Sequence, residues 1–230
     1  MPLFLGGYWS ILLLIPALLL GIYAQIRVNS TFNRYAKVPS ARGLTGAQAA
    51  RMLLDSAGLQ GVGIEIGGGR LSDNYDPRSR TLRLSPDVAN SNSLASVGVA
   101  AHESGHALQH ADHYAPLVVR SRMVPAASLG SNLGFVLFFV GLFFFGRNTM
   151  IMNIGIALFS VAVLFTLVTL PVEFNASHRA IRQLSDHGIL VASEIDGAKA
   201  VLDAAALTYV AAALMAILNL LRLILISRSR

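Results

Sequence analysis

Residues Met150–Leu170 read MIMNIGIALFSVAVLFTLVTL, twenty-one residues without one ionisable side chain, and Pro171–Ala180 follow as PVEFNASHRA. About twenty apolar residues in a helix cover ~30 Å, the thickness of a bilayer's hydrocarbon core. The stretch reads as a membrane span that hands the chain to a polar segment whose first ionisable group is Glu173. Working outward, Tyr8–Ile26, Val124–Phe145 and Ala205–Ile226 have the same character. Tyr8, Trp9 and Tyr23 flank the first of these as interfacial aromatics. The last contains Asn219 and Arg222, and Arg222 is close enough to its end to reach the interface. No basic residue precedes Tyr8 and no small-residue cleavage site precedes Arg27, so the first stretch reads as a retained anchor.

Composition points the same way. Of 230 residues, 54% are hydrophobic and only 13% charged, with a mean hydropathy of +0.58. Soluble domains carry roughly a quarter of their residues charged, and a large core does not explain so big a deficit. The absence of cysteine excludes disulfides, iron–sulfur clusters and thiolate zinc sites. Any metal must be held by His, Asp or Glu. The net charge of +6 is spread through loops with no aromatic–basic stripe. That distribution speaks against a nucleic-acid partner and for basic residues that mark membrane topology.

The expected architecture is a mainly α membrane protein of about four spans, with a small α+β, zincin-like insertion between spans 1 and 2. Residues 1–26 form the anchor, 27–123 the insertion, 124–170 a hairpin of two spans, 171–204 a second polar segment and 205–230 the last span. Within the insertion, Leu44–Leu59 reads as a helix, with Thr45 and Gln48 as a capping box and Gly58 as a stop. The following VGIEIGGGRLSDNYDPRSRTLRLSP alternates and is broken by glycines and Asp76-Pro77, which predicts two or three short strands. A helix capped around Ser91–Ser93 comes next.

That helix carries AHESGHALQH, residues 101–110. Residues four apart share a helix face with Cβ atoms ~5–6 Å apart. His102 and His106 can therefore offer imidazole nitrogens to one zinc ion. Glu103 has the reach to take a proton from a zinc-activated water without ligating the metal, and to pass it to a leaving amine. The strand-like TLRLS ahead of the helix resembles the edge strand on which zinc peptidases pair an extended substrate. A third ligand is still needed. Asp112 stands six residues past His106, but that spacing works when a glycine midway turns the chain, and position 109 is Gln109. His110 lies a turn too far along and His113 falls off the face. The distant candidate is Glu173, because two crossings separate it from His106 and two crossings return the chain to the side it left.

The stretches LTGAQAARMLLDSAGL, LSDNYDPRSRTLRLSP, GVAAHESGHALQHADHYAPLVVR, LPVEFNASHRAI and VLDAAALTYVAAAL together resemble the neutral zinc metallopeptidases of bacterial membranes, the YugP-type proteins. The resemblance implies a gluzincin-like site on one catalytic Zn2+, with His102, His106 and Glu173 as ligands and Glu103 as the base. Related heat-shock-type proteases carry Asp where Ser177 stands, which puts Ser177 in the position that orients a ligand histidine. Arg179 is a candidate to steady an oxyanion or to pair with an acid or a headgroup.

Lys and Arg number eleven in residues 27–122 and three in 171–204, against Arg147, Arg222, Arg228 and Arg230 elsewhere. Arg27, Arg34, Arg120, Arg122 and Arg179 lie near span ends, where the charge rule is strongest. The expected setting is the bacterial cell membrane, with the metal side facing the cytoplasm. The expected activity is zinc-dependent endoproteolysis of membrane or membrane-adjacent polypeptides. The rivals are a non-catalytic zinc scaffold and a metal-handling membrane protein.

Overall fold

The computed structural model describes residues 10–69, 72–145, 147 and 149–228; Tyr8 and Trp9, expected at the first interface, lie outside them. The chain forms α1 (Ile15–Tyr35), α2 (Gly46–Ser56), β1 (Gly63–Ile66), β2 (Asn74–Asp76), β3 (Thr81–Leu84), α3 (Pro86–Ala89), α4 (Leu94–Ala111), α5 (Ala115–Phe143), α6 (Thr149–Asp186) and α7 (Ala192–Arg228). Four helical stretches are long and apolar enough to cross a membrane: Ser10–Tyr35, Ala115–Phe143, Thr149–Asp186 and Ala192–Arg228. Only 11–28% of the residues in their apolar windows are buried by protein. The remaining apolar surface is far larger than water tolerates on a monomer, so these helices face lipid. The protein is a mainly α membrane protein with a small sheet, as the apolar runs predict.

The chain divides into two compact units. One comprises residues up to Ala24, Val118–Pro171 and the chain from Thr208 onward. Its core gathers Phe138, Met152, Phe159, Val163 and Leu223. Helices α5 and α6 approach at glycines: a Cβ on Gly130 would meet the Leu158 carbonyl oxygen at 2.4 Å, and one on Gly155 the Gly134 oxygen at 2.7 Å. Small residues at such crossings let helix backbones pack closely where lipid supplies no hydrophobic drive.

The other unit comprises Gln25–Leu117 and Val172–Leu207. Helix α2 starts where the sequence puts it: the Thr45 side chain accepts from Gln48 N, and the Gln48 side chain accepts in return from Thr45 N. Gly58 follows its end with φ +73°, a left-handed turn open to glycine. Helix α4 is capped by Ser93, whose side chain accepts from Ser96 N. The sheet has the order β1-β3-β2, with β1 parallel and β2 antiparallel to β3. This corrects one expectation. TLRL is the central strand, with both ladders occupied by neighbours, and its alternate residues Leu82 and Leu84 are fully buried. The edge that packs against α4 is β2, where Tyr75 OH lies 2.9 Å from His110 Nδ1. Two apolar clusters fix α4 from either side, one through Leu53, Leu94, Val97, Ala101 and Leu184, the other through Leu82, Leu84, Val88 and Ala100.

Candidate metal centre

Helix α6 does not stop at Pro171. It runs on to Asp186 with the proline inside it. Proline removes one backbone N–H and crowds the preceding turn, yet the helix continues and carries Glu173, Asn175, Ser177 and Arg179 on its next turns. Two of these elements touch backbone to backbone. A Cβ on Gly105 of α4 would stand 2.5 Å from the Ala176 carbonyl oxygen of α6 and 3.2 Å from its carbon. Glycine is required here by that contact, and Ala176 is itself fully buried. Replacing Gly105 with Ala is expected to push the helices apart, as overpacking does, and to lower stability by roughly 1–3 kcal/mol. Thermal unfolding and bound-metal measurements on the same variant check this; wild-type values for both would refute it.

The close approach brings Glu173 against the two histidines. Glu173 Oε2 lies 3.3 Å from His102 Nε2 and 3.5 Å from His106 Nε2. All three ligand atoms fall within 4.8 Å of one another, in a group that could hold a metal ion. Their spacing fits that use. Two ligands held at ~2.0–2.1 Å around one tetrahedral zinc stand about 3.3 Å apart, whereas a direct charge-assisted N–H···O bond closes to ~2.7–2.9 Å. The donor set of two imidazoles and one carboxylate also suits zinc in a chain without thiols.

The site is dry. The Glu173 side chain is 2% exposed, those of His106 and His102 10% and 14%. Burial works against the His106 imidazolium, but the Glu173 hydrogen bond, the charges of Glu103 and Glu173 and the bond to Gln109 outweigh it, holding its pKa above the ordinary value. Metal binding needs the neutral ring, so protons compete for it. Apparent zinc affinity is expected to rise with pH until that proton is lost, by up to about tenfold per pH unit for one displaced proton. An affinity that stays flat from acid to neutral pH would contradict this, and chelator competition across a pH series measures it.

Glu103 is almost buried. Among the described residues its carboxylate makes no hydrogen bond or ion pair. Its charge acts on the neighbouring His106, whose imidazolium it favours. His102 Nδ1 lies 3.0 Å from Ser177 Oγ, and a hydroxyl can accept from an imidazole N–H there.

The remaining sequence candidates have other partners. Asp112 caps the C-terminus of α4 and its carboxylate accepts from Arg179 Nη1. Arg179 also donates from Nε to Asn175 Oδ1 at 2.9 Å, and its guanidinium sits 5.8 Å from the Tyr114 ring centroid. His110 is engaged by Tyr75. His113 lies past the helix end with φ 49°. Sequence reasoning missed Gln109 and Asn175. Gln109 is fully buried, lies 3.0 Å through its Oε1 from His106 Nδ1, and donates to Val172 O and Asn175 Oδ1 at 2.8 and 2.9 Å. The available signal was an amide side chain three positions past His106, on the helix face that carries both histidines.

Two histidines four apart on one helix with a glutamate between them, faced by a buried carboxylate from a membrane-spanning helix, are the donor pattern of zinc metallopeptidases. The family described as "Putative neutral zinc metallopeptidase" matches residues 10–228, and the chain belongs to that family. A curated relative, "Putative membrane protease YugP" of Bacillus subtilis (strain 168), is 45% identical over 216 residues, which cover 94% of this chain and 95% of the relative. No solved structure matches the chain.

Proposed function

We propose that the protein is a membrane-embedded zinc metalloendopeptidase that cleaves membrane or membrane-adjacent polypeptides on the cytoplasmic side of the bacterial cell membrane. The observation that carries the reading is the convergence of His102 Nε2, His106 Nε2 and Glu173 Oε2, with Glu103 on the same helix as the two histidines. When bound, zinc supplies a Lewis acid and lowers the pKa of a water molecule. The residues do the rest. Glu103, held on the same helix as two of the ligands, accepts the proton of the attacking water and returns it to the leaving amine, so that two shorter peptides are released. The low exposure of the donors keeps the local dielectric low, which strengthens the carboxylate's pull on that proton. An extended substrate can add to the edge strand β2, the neighbour of α4, where main-chain hydrogen bonds can align it. Arg179 acts through Asn175 and Asp112 to brace α6, and Ser177 orients His102.

The localisation rests on the basic residues near the span ends and on the four apolar helices. The test is metal removal. Protein purified in detergent should bind one zinc per chain and cleave an unfolded polypeptide, and a chelator should abolish cleavage until zinc is returned. One bound zinc with no chelator-sensitive cleavage of any unfolded or membrane polypeptide would instead favour a non-catalytic zinc scaffold.

A further inference from the structure

Around His106 the hydrogen-bond directions form a chain whose polarity is set from one end. Arg179 has donors only, so the atom of Asn175 that meets Nε is the amide oxygen. The same Asn175 oxygen faces Gln109 at 2.9 Å, so Gln109 must present its NH2 group there. The Val172 carbonyl, a pure acceptor, demands the same NH2 group at 2.8 Å. Two independent acceptors therefore fix the Gln109 amide, and its Oε1 is left facing His106 Nδ1 at 3.0 Å. An oxygen at that distance accepts only if Nδ1 carries hydrogen. The side chain that holds this polarity is fully buried, and its amide is held on both sides by protein groups.

We infer that Gln109 is a positioning residue that holds His106 as the Nδ1–H tautomer, leaving the Nε2 lone pair for the metal. Nε2 is the nitrogen that faces Glu173, so the tautomer and the donor geometry agree. Histidine ligands are oriented by what their other nitrogen donates to. Here the partner is a neutral amide, locked in turn by a backbone carbonyl of the helix that carries Glu173. The two halves of the donor set are thus cross-braced: α4 supplies His106 and Gln109, and α6 supplies Val172 O, Asn175 and Glu173. A carboxylate partner would hold the ring more strongly but would add negative charge beside Glu173 and Glu103. The amide fixes the ring without that charge.

The inference rests on the proposed metal site but not on peptide cleavage. The test uses the full chain in detergent, with 15N-labelled histidine spectra of the metal-free and zinc-loaded protein and zinc affinity by chelator competition. The expected result is a protonated Nδ1 on His106 in the neutral metal-free ring and in the zinc-loaded form. Gln109→Met, similar in size but without acceptor or donors, should give a mixed tautomer in the metal-free protein and weaken zinc binding roughly 10- to 100-fold. Arg179→Met leaves Val172 O in place and should keep the wild-type tautomer with a smaller loss. A neutral wild-type ring with hydrogen on His106 Nε2 and none on Nδ1 would overturn the inference, as would an unchanged tautomer and zinc affinity in Gln109→Met. Where that variant fails to fold, the wild-type spectrum alone decides. Zinc binding without proteolysis would sink the peptidase reading and leave this one standing.

Discussion

Glu103→Gln is expected to retain zinc at the wild-type stoichiometry while peptide cleavage falls roughly 10²- to 10⁴-fold. The substitution keeps the size and polarity of the side chain but removes its capacity to accept a proton. Among the described residues the carboxylate makes no hydrogen bond or ion pair, so the change removes its charge beside His106 but no hydrogen bond seen there. The three donors are untouched, which is why metal content should not move. Zinc analysis and a cleavage assay on one preparation separate the two effects. Unchanged cleavage with zinc in place would remove Glu103 from the base role. Lost zinc would mean that Glu103 supports the metal instead.

Glu173→Ala is expected to do the opposite and act first on metal binding. The carboxylate is the donor that both imidazole nitrogens face, and its removal leaves two neutral ligands and an open face. Outer partners of a ligand cost roughly 10- to 100-fold in affinity when lost, and a direct ligand should cost at least that. Cleavage would fall with metal occupancy and recover in part at high zinc. The variant also removes a buried charge, so metal-free stability must be measured alongside. Wild-type zinc affinity in Glu173→Ala would return the third-ligand role to Asp112 or another residue, although the Asp112 carboxylate is held by Arg179.

Much of this was legible in the sequence, and the limits have physical causes. The four apolar runs are long and nearly free of charge, so helical spans were fixed by the solvent that such runs require. The Thr45–Gln48 box and the Ser93 cap are local signals, complete within four residues, and both are found as expected. Strand order is not local: TLRL resembled an edge strand, yet Leu82 and Leu84 are buried and both sides of β3 are paired. Glu173 is not a local signal: it was reached by counting membrane crossings and by the family resemblance. Gln109 was first considered for what it is not, the glycine that would turn the chain toward Asp112. Its actual contacts lie 63 and 66 positions away, at Val172 and Asn175, and no local pattern announces them.

The unit that holds the metal donors is discontinuous, with Gln25–Leu117 and Val172–Leu207 separated in the chain by a hairpin that belongs to the other unit. During synthesis this becomes a delay. His102, Glu103 and His106 leave the ribosome 67 or more positions before Glu173 does, which at ~5–20 residues per second is several seconds of elongation. Until the hairpin has been made, the nascent chain holds two histidines and a carboxylate but lacks the group that would complete the set. A donor set split this way cannot form until the second crossing of the hairpin has been made, so the site is assembled only after the helix that carries Glu173 exists.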